Sequence, residues 1–156
     1  EGPVQGAAVA LHAPLHRAHG RAARVLFHTH QPWSTALACI EEGGLAMYHP
    51  DAAMYARETG FDEVYTGNWP IGSRAGPVDE GTRLLHSAAL QGKRVGFLAN
   101  HGILLRSDTV EEAVFDAVHL ERLAGQQVHA MQYGKLPRLG AAERPEARQF
   151  YSLLAV

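Results

Sequence analysis

Apolar positions recur at helical spacing over residues 6–19, at Ala7, Ala8, Leu11, Leu15 and Ala18, and Gly20 supplies the stop. Arg24-Val25-Leu26-Phe27-His28 is a short apolar run of buried-strand type. Gln31-Pro32 then turns the chain into a helix. Proline suits its first turn, where no N–H is needed, and Trp33 to Ile40 follow. Glu41-Glu42-Gly43-Gly44 reads as loop, and Pro50 opens a further short helix to about Glu58, with Gly60 as its end. From Tyr65 to Pro77 a mixture of Gly, Asn, Trp, Pro and Ser predicts turns and irregular chain. Asp79 to Leu90 reads as helix, with Leu84, Leu85 and Ala88 on one side and Gly92 as the stop.

Two more apolar strands follow, Arg94 to Leu98 and Ile103-Leu104-Leu105, split by Ala99-Asn100-His101-Gly102. The last element carries the strongest pattern. Asp108-x-x-Glu111 and Thr109-x-x-Glu112 both have capping-box spacing. A stripe of Val110, Ala113, Val114, Ala117, Leu120, Ala124 and Val128 then runs to about Tyr133, before Gly134 and Pro137. Helices alternating with short strands predict an α/β domain of layered type, one domain over residues 1–156.

The 156 residues carry 14 Lys+Arg against 16 Asp+Glu, a net charge of -2. That mixed, near-neutral balance argues against nucleic acid and against anionic membrane surfaces as partners. No run approaches the roughly 18 apolar residues of a membrane span. The single cysteine, Cys39, cannot form an internal disulfide, which fits a reducing, cytoplasmic setting. It reads as a packed small hydrophobe. Glu1 stands where a start methionine would, and Gly2-Pro3-Val4-Gln5 has neither the charged nor the apolar region of a signal peptide. The chain is therefore expected to begin partway into a longer protein.

Histidine is the residue in surplus, with 10 in the chain. His28-Thr29-His30 puts two imidazoles on one face of a strand, close enough to grip one metal ion. Ordinary surface or hydrogen-bonded histidines share that spacing. The position at the C-terminal end of a buried strand, where open α/β sheets take their ligands, raises the metal reading. His101 sits in the tight Asn100-His101-Gly102 break, either packed under a loop or aimed into a cleft. Gly102 reads as the residue that allows an unusual backbone there. A third histidine would complete a set that leaves open positions on a catalytic ion, without naming the metal. His12 and His16, four apart on one helix face, fit helix packing better than a metal pair. His49 fits either a loop residue or a site group. His19, His86, His119 and His129 read as surface or structural. The chain has no Gly-x-Gly-x-x-Gly, Walker loop, Gly-x-Ser-x-Gly elbow or His-Glu-x-x-His.

The run from His12-Ala-Pro-Leu-His through Val25-Leu-Phe-His28-Thr-His30-Gln-Pro, then Leu98-Ala-Asn-His101-Gly-Ile-Leu and Thr109-Val-Glu-Glu-Ala, resembles the class II aldolase/adducin family. The resemblance covers residues 3 to 133, and the motifs in this order are more specific than any one of them. It implies a three-layer α/β/α fold with a largely antiparallel central sheet. It also implies a divalent metal, usually Zn2+ with Fe2+ or Mn2+ as alternatives, bound by His28, His30 and His101. Many members are fourfold-symmetric tetramers with sites between subunits. Two departures stand out. The family's aldolases carry a catalytic Glu four residues before the helix histidine that His12 matches, and Ala8 stands there. This feature is shared with the adducin-like bacterial branch, which includes non-haem iron oxygenases. The resemblance also implies that the family's N-terminal third, with its phosphate-binding loop, is missing.

The function so implied is a divalent-metal-dependent lyase of aldolase, decarboxylase or dehydratase type on a small hydroxy-carbonyl substrate. His49, near the family's catalytic Tyr position, and Tyr65, on the irregular stretch, are the candidate proton carriers. The alternatives are a non-haem iron oxygenase on the same scaffold and a non-catalytic adducin-like binding module. Retention of all three histidines weighs against the last.

Overall fold

The computed structural model describes residues 5–41, 43–55, 57–64 and 79–134. Helix α1 covers Gly6–His19, strand β1 Val25–Thr29 and helix α2 Pro32–Ala38. A 3-10 turn over Pro50–Tyr55 leads to β2, Thr59–Asp62. Helix α3, Glu80–Leu85, is followed by β3, Val95–Leu98, β4, Gly102–Ser107, and the long α4, Val110–Met131. Among the described residues the strands form one sheet in the order β1-β4-β3-β2. The β1–β4 and β4–β3 pairs are antiparallel and β3–β2 is parallel. The central sheet is thus largely antiparallel, as expected.

Alternation along the strands sends side chains to two separate cores. Leu26, Leu98 and Leu104 join Leu11 and Leu15 of α1 and Leu84 of α3 on one face. Val95, Phe97, Ile103 and Leu105 join Leu37 of α2 and Leu120, Leu123 and Ala124 of α4 on the other. Helices therefore cover both faces, giving the three-layer α/β/α arrangement.

Several expectations shift. The helix expected to end at Gly60 is a 3-10 turn, and Gly60 belongs to β2. The helix expected over Asp79 to Leu90 stops at Leu85 and resumes as a 3-10 turn at Ala88–Leu90. On α4, Val110 and Val114 are exposed, whereas Asp116, His119, Leu123 and Gln127 are buried with Ala113, Ala117, Leu120 and Ala124. Half of the capping box at Thr109 forms: its hydroxyl accepts from Glu112 N–H at 3.1 Å, while the Glu112 carboxylate accepts from Asp108 N–H, one residue before the cap, at 3.2 Å. Cys39 is exposed rather than packed, because it caps α2 one residue beyond the last buried position, Ala38. Among the described residues no helix is long and apolar enough to cross a membrane.

Candidate metal centre

The C-terminal ends of β1, β2 and β3 lie at the same end of the sheet, where β4 begins. There Leu98 pairs with Gly102, leaving Ala99-Asn100-His101 as a three-residue hairpin loop. His101 N–H donates to Leu98 O at 3.0 Å and Asn100 N–H to Ala38 O at 2.9 Å, so the loop is tied to both its strand and α2. The strained backbone falls on Asn100, with φ 55, rather than on Gly102. Asn tolerates that left-handed conformation better than most residues. Gly102 is needed for a different reason: a Cβ there would lie 2.4 Å from Thr29 O and 2.7 Å from His30 Cδ2. The absent side chain lets β1 bring His28 and His30 against His101.

The three rings meet. His28 Nε2 is 3.1 Å from both His101 Nε2 and His30 Nε2. Ring centroids are 4.9, 4.7 and 4.8 Å apart, and the planes are steeply inclined to one another. His28 Nδ1 lies 3.0 Å from Ile103 O. A carbonyl only accepts, so Nδ1 carries the proton and the neutral ring presents an Nε2 lone pair. Burial, followed by repulsion from His101, pushes the His28 pKa down to about 4, against the opposing pull of the Ile103 carbonyl. His101 is also shifted below the usual range, by burial and then by His30. Imidazole nitrogens turned toward one another are a donor set of the kind a transition-metal ion takes. With metal–nitrogen bonds of about 2.0–2.1 Å, neighbouring ligand nitrogens sit about 2.9 Å apart in an octahedral site and about 3.4 Å apart in a tetrahedral one. The two separations of 3.1 Å at His28 Nε2 lie between these values. Among the described residues this is the His/Cys/Asp/Glu group that could hold a metal.

The other histidines divide. His12 is close enough to His28 to lower its pKa, though it ranks last among the causes. Ala8, one turn earlier on α1, is exposed. His16 Nδ1 donates to Ala23 O at 2.6 Å and ties the end of α1 to the approach of β1, a structural role. His49 Nδ1 accepts from Asp51 N–H at 3.2 Å and lies 3.8 Å from the Asp51 carboxylate, so its described polar contacts are with Asp51 rather than with the triad. Tyr65 lies outside the described residues. Asp62, at the end of β2, is buried and held by Arg83 at 2.9 Å, with Arg83 also bonded to Glu80. Reading the sequence missed Glu121, whose carboxylate on α4 accepts from Trp33 and Ser34 just beyond His30. No sequence spacing signals such a contact.

Residues 1–128 match the family model for the class II aldolase and adducin N-terminal domain. The chain belongs to the class II aldolase/adducin family. A curated member, 5-methylthioribulose-1-phosphate/5-deoxyribulose-1-phosphate aldolase of Rhodospirillum rubrum, is 30% identical over 116 residues, 74% of this chain and 48% of the relative. The chain thus spans about half the length of that protein. Solved structures of the family superpose well. An aldolase II superfamily protein from Pseudomonas syringae gives a TM-score of 0.74 at 22% identity, covering 94% of this chain and 55% of its own. L-fuculose 1-phosphate aldolase of Glaciozyma antarctica gives 0.74 at 20% identity, covering 94% and 51%. YgbL of Escherichia coli gives 0.69 at 26% identity, covering 95% and 68%. The first two likenesses establish the fold of the class II aldolase/adducin family and nothing finer.

Proposed function

We propose that the chain forms the metal-binding part of a lyase acting on a small hydroxy-carbonyl compound, with His28, His30 and His101 holding one divalent ion, zinc in the first instance. The observation that carries this reading is the convergence of three Nε2 atoms, two of the separations being 3.1 Å. A divalent ion held by three imidazoles keeps open positions and supplies Lewis-acid polarisation of substrate oxygens. His28 keeps its Nε2 lone pair aimed inward because the Ile103 carbonyl accepts from its Nδ1–H. His101 is delivered by the hairpin loop and His30 by the end of β1. Membership of the aldolase family and the likeness to a sugar-phosphate aldolase support lyase chemistry.

Cleavage beside a carbonyl also needs a proton carrier. The methyl of Ala8 cannot serve. His49 accepts at Nδ1, so its neutral ring carries the proton on Nε2, from which it can donate. We assign it, with Tyr65, as the candidate proton carrier. His49→Ala should lower turnover at saturating substrate by about 100-fold or more; unchanged turnover removes the role.

Metal analysis of protein purified without chelator tests the site itself. The expected result is about one equivalent of zinc or manganese, lost in the triple His28→Ala, His30→Ala, His101→Ala variant. Retention of stoichiometric metal by that variant would refute the ligand set. Iron together with oxygen uptake would move the assignment to the oxygenase reading, and no bound metal at all would sink both.

A further inference from the structure

His30 stands where the chain leaves β1, and it is the exposed member of the triad. The segment after it is held from a distance. Glu121, in the middle of α4, accepts from Trp33 N–H at 2.8 Å, Ser34 N–H at 2.9 Å and Ser34 Oγ–H at 2.8 Å. Gln31, at the start of α2, makes no side-chain cap of its own. First-turn N–H groups have no partner inside their helix. Glu121 therefore satisfies two of them from the neighbouring helix, and charge assistance makes these bonds stronger than neutral ones. The Trp33 ring lies on Gly125, one turn further along α4, where a Cβ would come within 3.0 Å of Trp33 Cδ1. The same ring meets His129 at 4.9 Å.

His30 thus lies between two fixed points. On one side its ring passes over Gly102, and on the other the Trp33–Ser34 segment is pinned to α4 three and four residues later. His28 has the Ile103 carbonyl to orient its ring. The hydrogen bond described for the His30 ring is the one between its Nε2 and His28 Nε2, at 3.1 Å.

We propose that Glu121 is a positioning residue of the metal centre: it fixes the direction in which the chain leaves His30, and through it the aim of His30 Nε2 at His28 and His101. Glu121 is not one of the three candidate ligands, and it acts through the first turn of α2. The inference rests on the reading of the triad as a metal site.

The test is a zinc titration of the metal-free protein against a chromophoric chelator, well below the unfolding temperature. It compares wild type, Glu121→Ala, Glu121→Gln and Tyr55→Phe. Tyr55→Phe removes a buried hydroxyl bonded to α4 at Asp116, away from the clamp, and serves as the control for general destabilisation. Glu121→Ala should weaken zinc binding about 10–100-fold, the range for groups that orient metal ligands. Glu121→Gln should recover part of the loss, because its amide oxygen still accepts, and it carries the comparison if the alanine variant does not fold. Tyr55→Phe should bind as wild type does. In the metal-free protein the imidazole NMR signals of His30 should shift in the Glu121 variants and stay in place in Tyr55→Phe.

Each failure is distinct. A wild type that binds no metal overturns the metal-site reading and this inference with it. A wild type that binds zinc, with Glu121→Ala within twofold of it and unmoved His30 signals, overturns the positioning role alone. Equal loss in Tyr55→Phe assigns the effect to stability and also overturns it.

Discussion

At the scale of single residues, the histidines sort by what their second nitrogen touches. His16 and His28 each donate Nδ1–H to a carbonyl, yet only His28 has its other nitrogen facing two more imidazoles. His119 is a third type. Arg122 can only donate, so His119 Nε2, at 2.9 Å, accepts from it. Nδ1–H then points at Tyr55 Oη at 3.3 Å, and Tyr55 donates to Asp116 at 2.9 Å. Arg94 pairs with the far oxygen of Asp116, Asp51 faces His119 Nε2 at 3.8 Å, and the Phe115 ring packs alongside. The chain of bonds requires a neutral His119. Burial first, then Arg122, lowers its pKa below 6.5, against the pull of Asp51 and Asp116.

The sign follows from proton counts. Above pH 6.5 neither the folded nor the unfolded state protonates this ring appreciably, and it contributes nothing to the pH dependence. As pH falls below 6.5 the unfolded chain takes up the proton first, so stability is lost until the pH passes the lower folded value. The slope from this one group is at most about 1.4 kcal/mol per pH unit. A histidine NMR titration should find the His119 midpoint below 6.5, and a midpoint at or above it would contradict the directions of the Arg122 and Tyr55 bonds. The three histidines could be singled out in the sequence by a strand spacing and a tight loop, and grouped as one set by the family resemblance. Two neighbouring features were not legible. The left-handed residue is Asn100 rather than Gly102, and Glu121 meets backbone groups 87 and 88 positions away, which leave no mark on local sequence.

At the scale of elements, legibility tracked how far each one is governed by its own chain. Helix α1 and the first turn of α2 were read from apolar spacing and Pro32, because local signals decide them. Strand β2 escaped notice. Thr59-Gly60-Phe61-Asp62 offers one large apolar side chain, and its parallel partner β3 is 36 residues away in register, at Val95 opposite Thr59. Its end is fixed by the Asp62–Arg83 pair, a tertiary contact that no spacing reveals. The α4 stripe was right at Ala113, Ala117, Leu120 and Ala124 and wrong at Val110 and Val114. The buried face rotates toward Asp116, His119 and Gln127 because polar partners await them. Tyr55 and Arg94 meet Asp116, while Gln127 accepts from Ala46 N–H at 2.8 Å and donates to Gly44 O at 3.1 Å. Hydropathy alone assigns such residues to solvent.

At the scale of the whole molecule, one thin sheet separates two cores, and the candidate metal centre closes one end of it. His28 belongs to the end of β1, His30 follows that strand by one residue, and His101 belongs to the turn between β3 and β4. An ion bound there would tie together strands that serve both cores. Phe97 is 1% exposed and central to the α2–α4 side. Phe97→Ala should therefore cost about 3–5 kcal/mol, a large share of the roughly 5–15 kcal/mol that holds a domain folded. An ion that binds only the folded chain offsets part of that loss by mass action, about 2.7 kcal/mol at a free concentration 100 times its Kd. Urea unfolding of Phe97→Ala, with zinc and with chelator, should show this difference as a shifted midpoint at unchanged slope. The shift should vanish when His28, His30 and His101 are also replaced by alanine. A zinc-dependent midpoint that survives their loss would mean that the ion stabilises the sheet from some other place.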